Sequence, residues 1–230
     1  QDVVAKVNAV DDGQHVTRDL TMTLLDKRGK SRVRETKTYR KYFGTEKRTI
    51  IFYKKPTNVK GTSFLTFDYP DVDTDDDQWL YLPALRKVRR ISASDRGDYF
   101  LGTDFSYEDL SGRDLDADEY ELVGEGIIHG TECYQIKAKP REEGTQYSAR
   151  IVWVDKEYYL MKRVEFFNKK ENRFKILDIP THVKNGDYWT ATKMVMENLK
   201  KAHRTELKIL KVDYDQGLKD NVFTESYLKR

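Results

Sequence analysis

The sequence predicts a mainly β fold, a large antiparallel sheet curling toward a barrel. Three observations predict it. Apolar and polar residues alternate with period two: Val16, Arg18, Leu20, Met22 and Leu24 share one side, and Thr17, Asp19, Thr21 and Thr23 the other. Short turn signals separate the alternating runs, and short connections join antiparallel neighbours. No strand–helix–strand spacing suited to parallel units occurs, and no internal repeat.

In chain order, residues 1–12 carry Val3, Val4, Val7 and Val10 at helical spacing, the tail of an N-terminal helix. The 16–24 run follows, then the loop Asp26-Lys27-Arg28-Gly29-Lys30, a charged, β-rich stretch over 31–43, and the runs 48–53 and 64–67, with Pro56 and Gly61 as punctuation. Residues 92–117 break the pattern. They are rich in Ser, Asp and Gly yet hold Tyr99, Phe100, Leu101, Phe105 and Tyr107, and an irregular segment of that length is functional or partly helical. The remainder reads as a meander of strands over 118–124, 131–139, 148–154, 158–167, 173–183, 188–200 and 204–214. Asn185-Gly186 is its strongest hairpin signal and predicts a type I′ turn. About ten or eleven strands exceed what a flat, twisted sheet tolerates, so the sheet is expected to curl.

The chain of 230 residues is long enough for a sizeable core and reads as a single domain over 1–230. Charged residues make up 35% and mean hydropathy is -0.80, which fits a soluble protein. Fifteen tyrosines and ten phenylalanines argue against disorder. A net charge of +3 implies no polyanionic partner, although the signs are segregated along the chain. A lone Cys133, in an alternating stretch, excludes an internal disulfide and reads as a buried thiol. No apolar run long enough for a membrane-spanning helix is present. No signal peptide is visible, and Gln1 follows either a removed one or a trimmed boundary.

Candidate chemistry is sparse. His15, His129, His182 and His203 are not spaced as metal ligands, and neither a nucleophile elbow nor a phosphate-binding or dinucleotide loop occurs. Asp118 and Glu119 read as solvated loop carboxylates. Asp71, Asp73 and Asp75 match the first ligand positions of a calcium loop, but Asp76 stands where glycine is needed and Leu82 where the bidentate glutamate is needed. A solvated acidic hairpin loop is the better reading. No catalytic residue, metal or cofactor is expected. Nucleic acid is not expected as a partner, since no binding module accompanies the basic residues.

The most distinctive block is Gln78-Trp79-Leu80-Tyr81-Leu82-Pro83-Ala84-Leu85-Arg86-Lys87-Val88-Arg89-Arg90-Ile91-Ser92, an apolar strand running through a proline into a basic cluster. The acidic run 71–77 precedes it, and Phe100-Leu101-Gly102-Thr103-Asp104-Phe105-Ser106-Tyr107-Glu108-Asp109-Leu110 follows. This order resembles the outer-membrane lipoprotein-sorting protein family, within the LolA/LolB-like superfamily of periplasmic lipid and lipoprotein carriers. The likeness extends through Val59–Leu65 and more loosely from about Val16 to the C-terminus. It implies an incomplete, half β-barrel with an N-terminal helix and a helical or loop lid over about 92–117. It also implies a periplasmic location, a signal peptide removed before the mature chain, and a non-catalytic carrier that hands an acyl chain between membrane partners.

For such a carrier the candidate lipid-binding residues are Leu20, Met22, Phe52, Phe64, Phe67, Trp79, Tyr81, Phe100, Phe105, Trp153, Phe166, Met194 and Met196, since aromatic rings and flexible methionines make an apolar wall. An ordinary filled core is the competing reading of the same residues, and the period does not say which strand face would line a cavity. Arg86, Lys87, Arg89 and Arg90 are the candidate partner-docking residues. On one continuous strand Arg86 and Arg90 oppose Lys87 and Arg89, so one pair is expected to face inward, toward lid carbonyls or a phosphate. The expected partners are lipid or lipoprotein acyl chains, an inner-membrane transporter and, transiently, a membrane. The alternatives are a cargo-free accessory or scaffold of a membrane transporter, and a hydrolase with an unrecognised site.

Overall fold

A computed structural model describes residues 2–71, 73–113 and 115–230 and turns the alternating runs into a 13-stranded antiparallel sheet. Gln1, Val72 and Asp114 lie outside the described residues, so the N-terminal run, the acidic run and the 92–117 segment are described without them. A helix α1 (Asp2–Asn8) precedes a first meander of β1 (His15–Leu25), β2 (Ser31–Phe43), β3 (Glu46–Lys55), β4 (Ser63–Asp68), β5 (Asp77–Leu82) and β6 (Lys87–Arg90). A second meander comprises β7 (Asp118–Ile128), β8 (Thr131–Pro140), β9 (Tyr147–Asp155), β10 (Met161–Asn168), β11 (Arg173–Asn185), β12 (Tyr188–Asn198) and β13 (His203–Tyr214).

The two meanders join where β1 pairs with β13, so the sheet order is β6-β5-β4-β3-β2-β1-β13-β12-β11-β10-β9-β8-β7. The outermost strands, β6 and β7, are consecutive in the chain. Pairing them would close a barrel. Instead the intervening residues leave one edge, cross the open side and rejoin at the other, giving the expected incomplete barrel. Among the described residues, 3-10 turns punctuate this crossing segment at 93–95, 100–102, 108–110 and 115–117.

Consecutive residues of β3–β5 face opposite ways. Tyr53, Phe64 and Leu80 pack with Ile91, Phe100 and Tyr107 around the crossing segment. Phe52, Leu65 and Trp79 pack on the other face against Val222, Phe223 and Leu228 of the C-terminal segment. Because β4 is covered on both sides, its apolar residues run together rather than alternate. A third cluster, Phe105, Tyr147, Val164, Phe166 and Met196, fills part of the inner face of the second meander.

Several expectations are corrected. The sheet has 13 strands rather than ten or eleven. The basic block is not one strand: Pro83–Leu85 forms a 3-10 turn, and Arg86 follows in the left-handed region at φ 49 before β6 begins. The hairpin after β11 closes on Gly186-Asp187, because Asn185 already pairs with Tyr188. Only Gly186 of those two has positive φ, so the turn is not type I′. The two-positive-φ turn is instead His129-Gly130, at φ 52 and 76, between paired Ile128 and Thr131. Asp118 is buried rather than solvated and opens β7 against the Arg113 guanidinium.

Candidate functional site

A cavity of about 440 Å³ lies between the inner face of β7–β12, the crossing segment and α1. Period two builds its wall. Ile136 and Ala138 of β8, Val152 and Val154 of β9, Val164 and Phe166 of β10, Leu177 of β11 and Met196 of β12 all point inward. Val4 and Val7 of α1 close one side, because helical spacing places residues three apart on one face. Phe105 reaches in from the crossing segment. The volume falls within the range of small-molecule sites and matches roughly fifteen water-sized groups, the bulk of a single acyl chain.

A polar belt borders this apolar wall. Arg150 Nη2 donates to Glu108 Oε1 at 2.7 Å, and Arg113 donates through Nε (2.6 Å) and Nη2 (2.5 Å) to the two oxygens of Asp118. Burial, assisted by the neighbouring Asp68 carboxylate, pushes Asp76 up to about 6. The belt's Arg113 and Arg150 thus pair with the protein's own carboxylates.

The crossing segment is pinned on both meanders. Toward the first, Arg34 Nη1 donates to Leu101 O at 2.9 Å and Gln78 Nε2 to Tyr107 O at 2.9 Å. Toward the second, Asn198 Nδ2 donates to the Tyr99 hydroxyl at 2.7 Å, and Asp104 Oδ2 accepts from Thr205 Oγ1 at 2.8 Å and meets His203 Nδ1 at 2.6 Å. Deepest of all, the Lys175 ammonium bonds Asp109 and the Tyr147 hydroxyl. Burial and the Asp109 charge drive the Tyr147 phenol far above its usual range, so it stays protonated and donates to Asp109.

The sequence-derived lipid-binding residues fall into separate places. Phe105, Phe166 and Met196 line the cavity. Met194 faces Leu207 across the β12–β13 pair, and Met22 lies buried, its sulfur 3.7 Å from the Tyr53 hydroxyl. Leu20 sits opposite Ile209, where β13 bulges. Phe64 and Phe100 belong to the filled cluster under the crossing segment, whereas Phe52, Phe67, Trp79 and Tyr81 belong to the cluster beneath the C-terminal segment. Trp153 points away from Val152 and Val154, and its indole donates to Glu165 Oε1 at 3.1 Å.

Arg86, Lys87, Arg89 and Arg90 are all exposed, so no inward pair exists. The reason is local. The turn at Pro83 resets the chain, and β6 is a short edge strand whose Val88 takes the covered position. Arg89 pairs with Asp95 and Arg90 with Asp77. The role expected of an inward arginine, bonding a carbonyl of the crossing segment, is filled by Arg34 of β2. Sequence reasoning also missed Arg150 and Lys175. The available signal was an alternation that places both, against expectation for charged residues, on the apolar side of their strands.

The fold is shared with known proteins. A family model described as "Uncharacterized protein" matches residues 45–230. A DUF1329 family protein from Desulfovibrio piger is 34% identical, over 99% of this chain and 96% of that one, with a TM-score of 0.95. A domain from Vibrio parahaemolyticus named for outer-membrane lipoprotein sorting is 29% identical, over 100% of this chain and 97% of that one, with a TM-score of 0.94. A LolA superfamily protein from Nitrosomonas europaea, 15% identical over 99% and 98% of the two chains with a TM-score of 0.76, shares the fold. No curated protein matches the sequence.

Proposed function

The chain belongs to the DUF1329 family, and from that premise and its cavity we propose that it is a non-catalytic carrier of a single lipid or lipoprotein acyl chain. The observation that carries this reading is the 440 Å³ cavity beneath a pinned crossing segment, with an apolar wall of strand residues and a belt of mutually paired charges. Burial of each methylene there contributes about 0.8 kcal/mol, so a chain of about fifteen carbons, contributing about 12 kcal/mol, reaches micromolar affinity after association costs of about 4 kcal/mol. The crossing segment acts as the lid. Its bonds to both meanders hold the cavity closed, and chain entry requires some of them to open. The likeness to the sorting-protein domain supports a periplasmic setting and a role in lipoprotein sorting, and the proposed role includes transfer between membrane partners, an inner-membrane transporter among them. The 230 residues act as one domain in this role.

Native mass spectrometry of the protein purified from cells tests the proposal. A copurifying acyl lipid, displaced by added fatty acid, supports it. Protein that is always free of lipid, and that binds no acyl chain of any length when one is supplied, leaves only the cargo-free scaffold.

A further inference from the structure

The strand order sorts the connections onto two opposite rims of the sheet, because antiparallel hairpins alternate ends. One rim holds the loops 26–30, 56–62, 83–86, 141–146, 169–172 and 199–202. These loops carry ten lysines and arginines against four carboxylates. The other rim holds 44–45, 69–76, 129–130, 156–160 and 186–187, with one lysine against six carboxylates. A chain of net charge +3 therefore has a basic end and an acidic end.

The basic rim is available. Lys27, Arg28, Lys30, Lys170 and Lys200 are exposed, and among the described residues no carboxylate forms an ion pair with any of them. Asp26, the nearby acid, is occupied: its Oδ1 accepts the backbone N–H groups of Arg28 and Lys30, which holds its carboxyl below the usual range. Two large apolar side chains project from the same rim, Leu199 beside Lys200 at 39% exposure and Leu85 beside Arg86 at 63%. Between the 26–30 hairpin, the 199–202 hairpin and the crossing segment lies an open recess of about 480 Å³, lined by the cations Lys27, Arg28, Arg32 and Lys201, by His203, and by the carboxylates Asp26 and Asp104, of which Asp26 accepts backbone N–H groups and Asp104 is engaged by His203 and Thr205.

We propose that this rim is a docking surface for an anionic phospholipid bilayer, with the recess receiving a phosphate headgroup. The hairpin tips extend over roughly 50 Å of arc at ordinary strand spacing, which suits a broad surface better than a peptide groove. Unpaired lysines flanked by projecting leucines match an interface with charge at its surface and hydrocarbon beneath. Glu142 and Gly144, which line the acyl-chain cavity, belong to the same rim, so docking there brings one end of that cavity to the bilayer. Arg86 belongs to this rim and Lys87 begins β6 beside it, whereas Arg89 and Arg90 are engaged by Asp95 and Asp77. The carrier reading supplies the setting for this surface, but the charge pattern stands without it.

Vesicle co-sedimentation tests the proposal, with pure phosphatidylcholine compared against a 70:30 mixture of phosphatidylcholine and phosphatidylglycerol. Each basic residue near such a surface strengthens partitioning by about fivefold. The expected result is at least tenfold stronger binding to the mixed vesicles, lost on raising the salt. Lys27→Glu with Lys200→Glu should weaken that binding at least tenfold. The charge-matched control, Lys184→Glu with Lys219→Glu away from the rim, should not. Thermal unfolding establishes that both variants fold, and binding of a fluorescent fatty acid in solution is measured alongside. Equal binding to both vesicle types, or equal loss in the control, overturns the docking surface and leaves an acidic protein as the partner to seek. Fatty-acid binding without vesicle preference leaves the carrier standing and the docking surface refuted, and the converse result does the opposite.

Discussion

The Lys175 ammonium, with no exposed surface, bridges the Asp109 carboxylate of the crossing segment and the Tyr147 hydroxyl of β9. A lysine is rarely buried unless paired, and here the pair joins the crossing segment to the sheet. Removing one partner of such a pair strands the other charge in a dry site.

Lys175→Met is therefore expected to destabilise the protein by about 3–5 kcal/mol in urea unfolding. Lys175→Met with Asp109→Asn should recover part of that loss, since the stranded charge is gone. The crossing segment should also exchange its amide hydrogens faster in Lys175→Met. A variant as stable as the parent, with unchanged exchange, would show that the bridge holds nothing.

Acyl-chain binding should strengthen by about 0.8 kcal/mol per methylene and then level off near the length that fills the cavity. Ala138 lines that cavity and is itself buried, so Ala138→Phe projects a ring into the space a chain would use. Titration with a fluorescent fatty acid should show at least tenfold weaker binding in Ala138→Phe, with its unfolding midpoint little changed. Binding that ignores both chain length and Ala138→Phe would place the chain elsewhere.

The fold was largely legible because alternation and turn residues report backbone and face directly. The 16–24 run, the hairpins of the second meander and the irregular 92–117 segment all follow from that signal. The site was less so. Phe52 and Tyr53, or Phe64 and Leu65, are adjacent in sequence and equally apolar, yet they enter cores on opposite faces of the sheet. Composition cannot separate them without knowing that Val222, Phe223 and Leu228 return to cover the outer face. Arg34, Arg150 and Lys175 were hidden for a related reason. A charged residue on a strand is read as solvent-facing unless its buried partner is known, and the partners, Leu101 O, Glu108 and Asp109, come from the distant crossing segment.

The crossing segment should exchange amide hydrogens faster than the 173–200 hairpin. Among the described residues the segment has one isolated bridge, Tyr99 with Ser106, flanked by backbone bonds from Tyr107 N–H to Asp98 O and from Glu108 N–H to Arg96 O, and is otherwise held by turns and side-chain bonds rather than by long strand ladders. Adding a fatty acid should slow its exchange if Phe105 and Glu108 close over the chain. Equal protection with and without fatty acid would make the segment a fixed cover rather than a lid.

Asp76 links the acidic loop to the cavity and gives stability a defined pH dependence. Burial first, and the Asp68 charge second, raise its carboxyl from 3.8 to about 6. The folded state thus favours the protonated form. The stability this contributes is fully present below about pH 4, is lost as pH rises through about 6, and leaves a constant penalty above. Asp76 is half-buried and accepts the Tyr69 N–H at 3.0 Å, so solvent and that bond reduce the penalty to about 1–2 kcal/mol. Asp76→Asn keeps an acceptor for Tyr69 while removing the charge. It should be more stable than the parent by that amount at pH 7 and equal to it near pH 4, read from urea unfolding at a series of pH values. A gain that persists unchanged at pH 4 would assign the effect to packing, and a loss at pH 7 would mean that the ionised carboxylate is needed at the edge of the cavity.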